Sequence, residues 1–221
     1  NPKVAMLTGD SPLTSIHVAR VTNICHATRP VAVLTQDSHG AAGAFVWSIE
    51  RDDPNRLGAV ITETIPFVAI EVLSPNPNPN ANPNPNPNPN PNPNRQVPNL
   101  SLSYDLATTE STWISLAGAL PDEGDDKQIQ AADAAGDLWQ YITYFRVLAR
   151  MSPGGKADVI RALHQGGATG KGSSAANNVL MCGDGGNDVG ALKQAAVGVA
   201  LLAGHANTNT STDRGLEVYE P

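Results

Sequence analysis

The chain has 221 residues, a formal net charge of −7, and only 16% charged and 5% aromatic residues. That length holds one medium domain or two small ones. Without a block of Lys and Arg there is no electrostatic footprint for a phosphate backbone, so nucleic acid is excluded as an expected partner. No apolar run approaches the roughly 18–20 residues that span a bilayer; the best, Val197-Gly198-Val199-Ala200-Leu201-Leu202-Ala203, is strand-sized. No signal-peptide pattern is present. The sequence opens at Asn1, and Lys3 to Leu7 already reads as a core strand, which is the expectation for a piece of a longer polypeptide.

Cys25 and Cys182 are the two cysteines; they form no CxxC pair and are expected as reduced thiols of a cytosolic compartment. Asn99-Leu100-Ser101 and Asn209-Thr210-Ser211 match the glycosylation pattern, which has no meaning in such a compartment. The five histidines show no metal-ligand spacing. Trp47, Trp113 and Trp139 are expected as packing residues.

In chain order, Val4 to Leu7 reads as a strand ended by Thr8-Gly9-Asp10. Ser11-Pro12 opens a helix, with Ser at the cap and Pro in the first turn. Strands are predicted at Val31–Leu34, Phe45–Ile49 and Phe67–Leu73 from their β-branched and aromatic content. Pro75 to Asn94 alternates Asn and Pro, broken once by Ala81-Asn82. Proline at every second position removes backbone donors and disfavours helix at each preceding Asn, so this tract is expected as an extended, disordered surface insert. Ordered sequence resumes at Leu100. Asp122 to Asp137 reads as helical, Phe145–Ala149 as a strand and Pro153–Leu163 as a helix. A soft loop is predicted over Gly166–Asn178, a strand over Val179–Cys182, a helix over Asp188–Ala195 and a last strand over Val197–Leu202. Alternating strands and helices point to an α/β domain with a mainly parallel sheet, whose functional loops follow the carboxyl ends of the strands. The expected segments are 1–74, an Asn-Pro insert at 75–99, a second domain segment at 100–204, and a polar tail or linker at 205–221.

Three of these loops carry chemistry together. Thr8 and Gly9 offer a hydroxyl and a backbone N–H to phosphoryl oxygens. Lys156 offers a point positive charge for the same oxygens. Asp184 and Asp188 would repel each other without a cation between them, and Mg²⁺ prefers such ligands. Glycines at 183, 185 and 186 allow a tight turn and close approach of the backbone. Phosphoryl transfer needs positioning and charge neutralisation, which these groups supply. Gly167-Ala168-Thr169-Gly170-Lys171-Gly172-Ser173 fails as a phosphate loop, since Gly172 and Gln165 stand where Ser or Thr and Gly are needed.

Thr8-Gly9-Asp10, then Ala149-Arg150 with Pro153 and Lys156, then Gly183-Asp184-Gly185-Gly186-Asn187-Asp188 resembles, in that order, the phosphorylation domain of the P-type ATPases. Met6 to Thr14, Leu180 to Asp184, Asp188 to Ala195 and Val197 to Leu202 are similar to the type V class and its endoplasmic-reticulum subgroup; Val189-Gly190 stands where the ion-pumping classes more often have Ala-Pro. The resemblance covers roughly residues 3–50, 100–115 and 138–203. It implies a haloacid-dehalogenase-like three-layer fold, incomplete on its N-terminal side. It also implies Mg²⁺ as cofactor and ATP as substrate. Thr8, Gly9 and Asp10 would contact phosphoryl or nucleotide phosphates, Arg150 and Lys156 would neutralise them, Asn187 would hydrogen-bond the phosphoryl group, and Asp184 and Asp188 would serve the metal. Lys156, Asp184 and Asp188 are thus the implied catalytic set, with Lys156→Ala expected to leave the fold intact. Gly186 and Gly154-Gly155 depart from the residues usual there. The family's nucleophilic Asp-Lys-Thr-Gly-Thr motif does not occur in this chain, so the isolated chain is expected to be inactive. The implied partners are the nucleotide-binding, actuator and membrane domains of the same polypeptide, at the cytosolic face of the endoplasmic reticulum. A soluble phosphatase of the same fold, or a non-catalytic protein displaying its Asn-Pro repeat, are the rival expectations.

Overall fold

The computed structural model describes residues 3–37, 44–52, 60–67, 93–122, 124–134, 137–169 and 178–201. Its strands are β1 (Met6–Leu7), β2 (Val31–Gln36), β3 (Phe45–Asp52), β4 (Val60–Pro66), β5 (Asp105–Thr109), β6 (Phe145–Ala149), β7 (Leu180–Gly183) and β8 (Val197–Ala200). Its helices are α1 (Pro12–Val21), α2 (Pro93–Ser103), α3 (Glu110–Ala117), α4 (Asp126–Ala134), α5 (Pro153–Gln165) and α6 (Val189–Gln194). Short 3₁₀ turns cover Leu138–Tyr144 and Gly186–Asp188.

Two helices start on a Ser-Pro pair, because serine caps an orphan backbone N–H and proline lacks the donor a first helical residue would leave unpaired. Ser11 Oγ accepts from Thr14 N at 3.3 Å, and Ser152 Oγ accepts from Gly155 N at 3.0 Å. Helix α5 ends on Gly166 in the left-handed region, φ 78°, where glycine has no Cβ to clash. The loop after it is pinned by the buried Asp137 carboxylate, which accepts from the backbone N–H groups of Ala168 and Thr169, both at 3.0 Å.

Six strands form one sheet in the order β1-β6-β5-β2-β3-β4. Pairing is parallel from β1 through β2, then antiparallel at β3 and again at β4, so β3 alone runs against the rest. The expected mainly parallel α/β architecture holds. A register shift opposite Leu106/Ala107 inserts a residue into β6. Such a bulge puts Phe145 and Val147, two positions apart, on opposite faces of the sheet. One face packs Ile16 and Ala19 of α1 against Val31, Ala107 and Val147. The other buries Leu34, Trp47, Leu106, Phe145 and Leu148 under α2, α3, α5 and the 138–144 turn. All three tryptophans lie in this larger core, as expected. Strands β7 and β8 form a separate parallel pair. Helix α5 spans the two sheets: Val159 and Ala162 face the large core, while Ile160 packs with Met181 and Ala191, and with Leu7 of β1.

Three expectations change. The third strand lies at 60–66, not 67–73; Phe67 only follows it, and 68–73 fall outside the described residues. The Asn-Pro insert does not run to 99, because α2 begins at Pro93 and carries Pro98 inside it. Helix α2 is held down by buried Val97 and by Gln96, whose amide donates to Pro66 O at 2.9 Å. Residues 75–92 and the tail 205–221 lie outside the described residues, as do 170–177 of the expected soft loop. Finally, β5 and α3 occupy a stretch that had been read only as ordered sequence. No helix among the described residues is long and apolar enough to cross a membrane.

Candidate functional site

Strand β1 is an edge strand of the large sheet and β7 belongs to the small pair. Both end at one cavity of about 370 Å³. Leu7, Met181, Cys182 and Leu201 give it an apolar wall; Thr8, Gly9, Asp10, Lys156, Gly183, Asp184, Asn187 and Asp188 supply its polar surface. Residues as far apart in sequence as Leu7 and Leu201 thus meet at the carboxyl ends of β1 and β7, where α/β sheets bind ligands.

The Thr8–Asp10 loop is laced to the loop after β6. Thr8 N donates to Leu148 O at 3.0 Å, Met151 N to Thr8 O at 2.9 Å and Arg150 N to Asp10 O at 3.0 Å. Within the loop, Asp10 N donates to Thr8 Oγ1 at 3.2 Å. Lys156 sits in the first turn of α5, its backbone N–H bonded to Ser152 O at 3.0 Å. It is 5% exposed. Its Nζ donates to Asp188 Oδ1 at 2.7 Å, and Asp188 is equally buried. The lysine is therefore a buried member of an ion pair and not a surface cation.

Gly183 explains how that pair fits. A Cβ at 183 would stand 2.6 Å from Asp188 Cβ and 2.7 Å from Asp188 Oδ2, so only glycine lets the Asp188 side chain fold back against β7. At Gly186 a Cβ would meet nothing within 4 Å, and the larger residues usual there would find room. Asp184 and Asn187 are exposed, as is Asp10.

Thr8, Gly9, Asp10, Lys156, Asp184, Asn187 and Asp188, with Gly183, line the cavity; Arg150, Gly185 and Gly186 do not. The Arg150 backbone is in the left-handed region, φ 54°, its side chain is exposed, and its N–H donates to Asp10 O. Asp188, expected beside a metal, has one oxygen committed to Lys156. No cluster of three or more His, Cys, Asp or Glu side chains converges among the described residues. The apolar wall from Leu7, Met181 and Leu201 went unnoticed in the sequence, although each flanks a motif. Ser152 was also passed over, although Ser152-Pro153 repeats the Ser11-Pro12 signal.

No protein-family model matches the chain. Among curated proteins, an endoplasmic reticulum transmembrane helix translocase of Aspergillus fumigatus is 30% identical over 203 residues, 91% of this chain and 11% of that protein. The protein of the same name from Saccharomyces cerevisiae is 31% identical over 201 residues, 90% of this chain and 12% of its own length. A cation-transporting ATPase of Caenorhabditis elegans is 25% identical over 207 residues, 94% of this chain and 14% of that protein. The chain spans about 11–14% of the length of these relatives. Over roughly 90% of its residues, then, it is homologous to one segment of the P-type ATPases, the family of the endoplasmic reticulum transmembrane helix translocases.

Proposed function

We propose that the chain is the magnesium- and phosphate-contacting part of the phosphorylation domain of a type V P-type ATPase, with a haloacid-dehalogenase-like fold. The observation that carries the reading is the convergence of Thr8, Lys156, Asp184 and Asp188 on one cavity between the ends of β1 and β7. Thr8 Oγ1 accepts the Asp10 N–H, which leaves its hydroxyl hydrogen for a phosphoryl oxygen. Lys156 brings positive charge to the cavity wall, held in place by Asp188. Asn187 offers an exposed amide.

Mg²⁺ keeps several waters and takes one or two carboxylates beside substrate phosphates. The exposed carboxylates of Asp10 and Asp184 fit that demand, whereas Asp188, tied to Lys156, acts behind them. When bound, the ion supplies charge neutralisation to phosphoryl oxygens. No phosphoryl acceptor of the Asp-Lys-Thr-Gly-Thr type is in the 221 residues. This reading places the strand that carries it between β1 and β7, whose ends both border the cavity.

In the parent protein, ATP hydrolysis through an aspartyl-phosphate would drive transport at the endoplasmic reticulum membrane, by moving a cation or removing a transmembrane helix. Its partners would be the nucleotide-binding, actuator and membrane domains of the same polypeptide. The test is an amide-resolved NMR titration of the chain with Mg²⁺ and inorganic phosphate. Shifts are expected at Thr8–Asp10 and Gly183–Asp188, lost in Asp184→Asn, and ATP incubated with the chain should release no phosphate above buffer. Shifts confined to other regions, or retained in Asp184→Asn, would refute the reading.

A further inference from the structure

We propose that Glu110 is a positioning residue for Lys156. It acts by holding the first turn of α5 across the gap between two helices, a role that explains the glycine at 155. This rests on the proposed part of Lys156 at the phosphate site, but the geometry it asserts is measurable without that function.

Glu110 opens α3 directly after β5. Its carboxylate accepts from the backbone N–H of Ser152 and from Ser152 Oγ–H, the latter at 2.7 Å. Ser152 Oγ in turn accepts from Gly155 N at 3.0 Å, and Ser152 O accepts from Lys156 N at 3.0 Å. The hydroxyl thus passes its hydrogen to Glu110 and turns a lone pair to the helix, so that each bond fixes the direction of the next. The carboxylate also sits at the positive end of the α5 dipole. Lys156 is the residue at which that helix begins its own ladder.

The glycines fit this arrangement. Glycine is a poor helix former, and two in a first turn leave it prone to fray. Yet Gly155 is buried, and a Cβ there would stand 2.5 Å from Glu110 Cδ and Oε1 and 2.7 Å from Oε2. The carboxylate occupies the space that any other residue at 155 would need. At Gly154 a Cβ would meet only Ser152 Oγ, at 3.9 Å. Glu110 and Gly155 are therefore a matched pair: the glycine admits the carboxylate, and the carboxylate holds a turn that glycine alone would leave loose. Everything downstream depends on that turn, because Lys156 Nζ must arrive within 2.7 Å of Asp188 Oδ1 in a buried setting.

The experiment is side-chain ammonium NMR on the 221-residue chain, whose five lysines give few signals. The Lys156 signal is identified by its loss in Lys156→Met. In the unaltered chain its ammonium hydrogens should exchange more slowly than those of exposed Lys3 and Lys193. Glu110→Ala should speed that exchange about tenfold, as loss of a charged cap opens the turn. Glu110→Gln, which keeps an acceptor, should restore most of the protection. Gly155→Ala should also speed exchange while Glu110 is present, because the methyl expels the carboxylate. In the Glu110→Ala background the same substitution should slow it, since alanine then improves an unobstructed helix. Unchanged Lys156 exchange in Glu110→Ala, or the same sign for Gly155→Ala in both backgrounds, overturns the proposal. If Glu110→Ala fails to fold, Gly155→Ala alone decides: slower Lys156 exchange in it overturns the proposal and faster exchange supports it. Should the phosphate titration fail while this coupling holds, the functional reading falls and the positioning stands.

Discussion

Replacing Lys156 by alanine should destabilise the chain strongly, contrary to what its position in the sequence suggests. The lysine and Asp188 side chains are each 7% exposed and 2.7 Å apart. Taking away one member of a buried pair leaves the other charged and unpaired, at a cost of about 3–5 kcal/mol. The cavity reaches Asp188 from the Asp184 side, so water can enter beside the stranded carboxylate, which argues for the lower end, about 3 kcal/mol. For a chain of this size each kcal/mol moves Tm by about 2–4 °C, so the drop should be about 6–12 °C. Thermal unfolding followed by far-ultraviolet circular dichroism measures it, with a urea titration to check that the transition is two-state. The double replacement Lys156→Met with Asp188→Leu removes both charges and should return to within about 1 kcal/mol of the parent, because apolar substitutes for a buried pair are often neutral. It should nonetheless abolish the Mg²⁺ and phosphate shifts. A Lys156→Ala Tm within about 2 °C of the parent would show that the pair is solvated and would refute the reasoning.

Two glycines, one ending β7 and one in the turn that follows, should respond in opposite directions. Gly183→Ala places a methyl 2.6 Å from Asp188 Cβ and should lower stability by about 1–3 kcal/mol, read by urea unfolding. Gly186→Ala enters open space at a backbone without positive φ, and should raise stability by about 0.4–1 kcal/mol through the unfolded state. The two thiols should also separate. Burial, then the nearby Asp105 carboxylate, pushes Cys25 up to about 11, whereas Cys182 is exposed. At about pH 8 a thiol reagent should label Cys182 in the folded chain and reach Cys25 only after denaturation, because the thiolate is the reactive form; mass spectrometry of the labelled chain would reveal any contrary order.

Much of the fold could be read where local signals were strong. Ser11-Pro12 marks the start of α1 to the residue, and the apolar runs of β2 and β6 are strands buried in a sheet covered on both faces, whereas β7 and β8 show the same apolar signal in a pair that stays largely exposed. Strand β4 was missed because Thr62, Glu63 and Thr64 are exposed, and a polar edge strand shows no hydrophobic run to find. Strand β5 was missed for a different reason. Asp105 and Thr108 interrupt its pattern, yet both are buried. Asp105 accepts from His26 N at 2.7 Å and Thr108 donates to Leu34 O at 3.4 Å. Long-range bonds of this kind satisfy polar groups in a core without leaving a local trace in sequence. The site divides the same way. Motif order picked out Thr8, Lys156 and Asp184 as candidates, but burial of Lys156, the absence of Arg150 from the cavity lining and the contact of Glu110 with the start of α5 are tertiary facts.

The cavity joins two sheets, and its geometry is secured differently on each side. On the large sheet, backbone hydrogen bonds fix Thr8 and Asp10 to Arg150 and Met151, so that side depends little on side chains. On the small sheet, the Asp184–Asp188 loop follows a strand with one partner, β8. What ties that loop to the rest is the apolar floor of Leu7, Ile160, Met181 and Ala191, together with the Lys156–Asp188 pair above it. Helix α5 provides a residue to each, Ile160 below and Lys156 above, one turn apart and so on one face. Any shift in the start of α5 must therefore move both ties at once. This is why the cap on its first turn matters to the phosphate site proposed at the end of β7, and why a glycine pair that would ordinarily weaken a helix is tolerated with a carboxylate lodged against it.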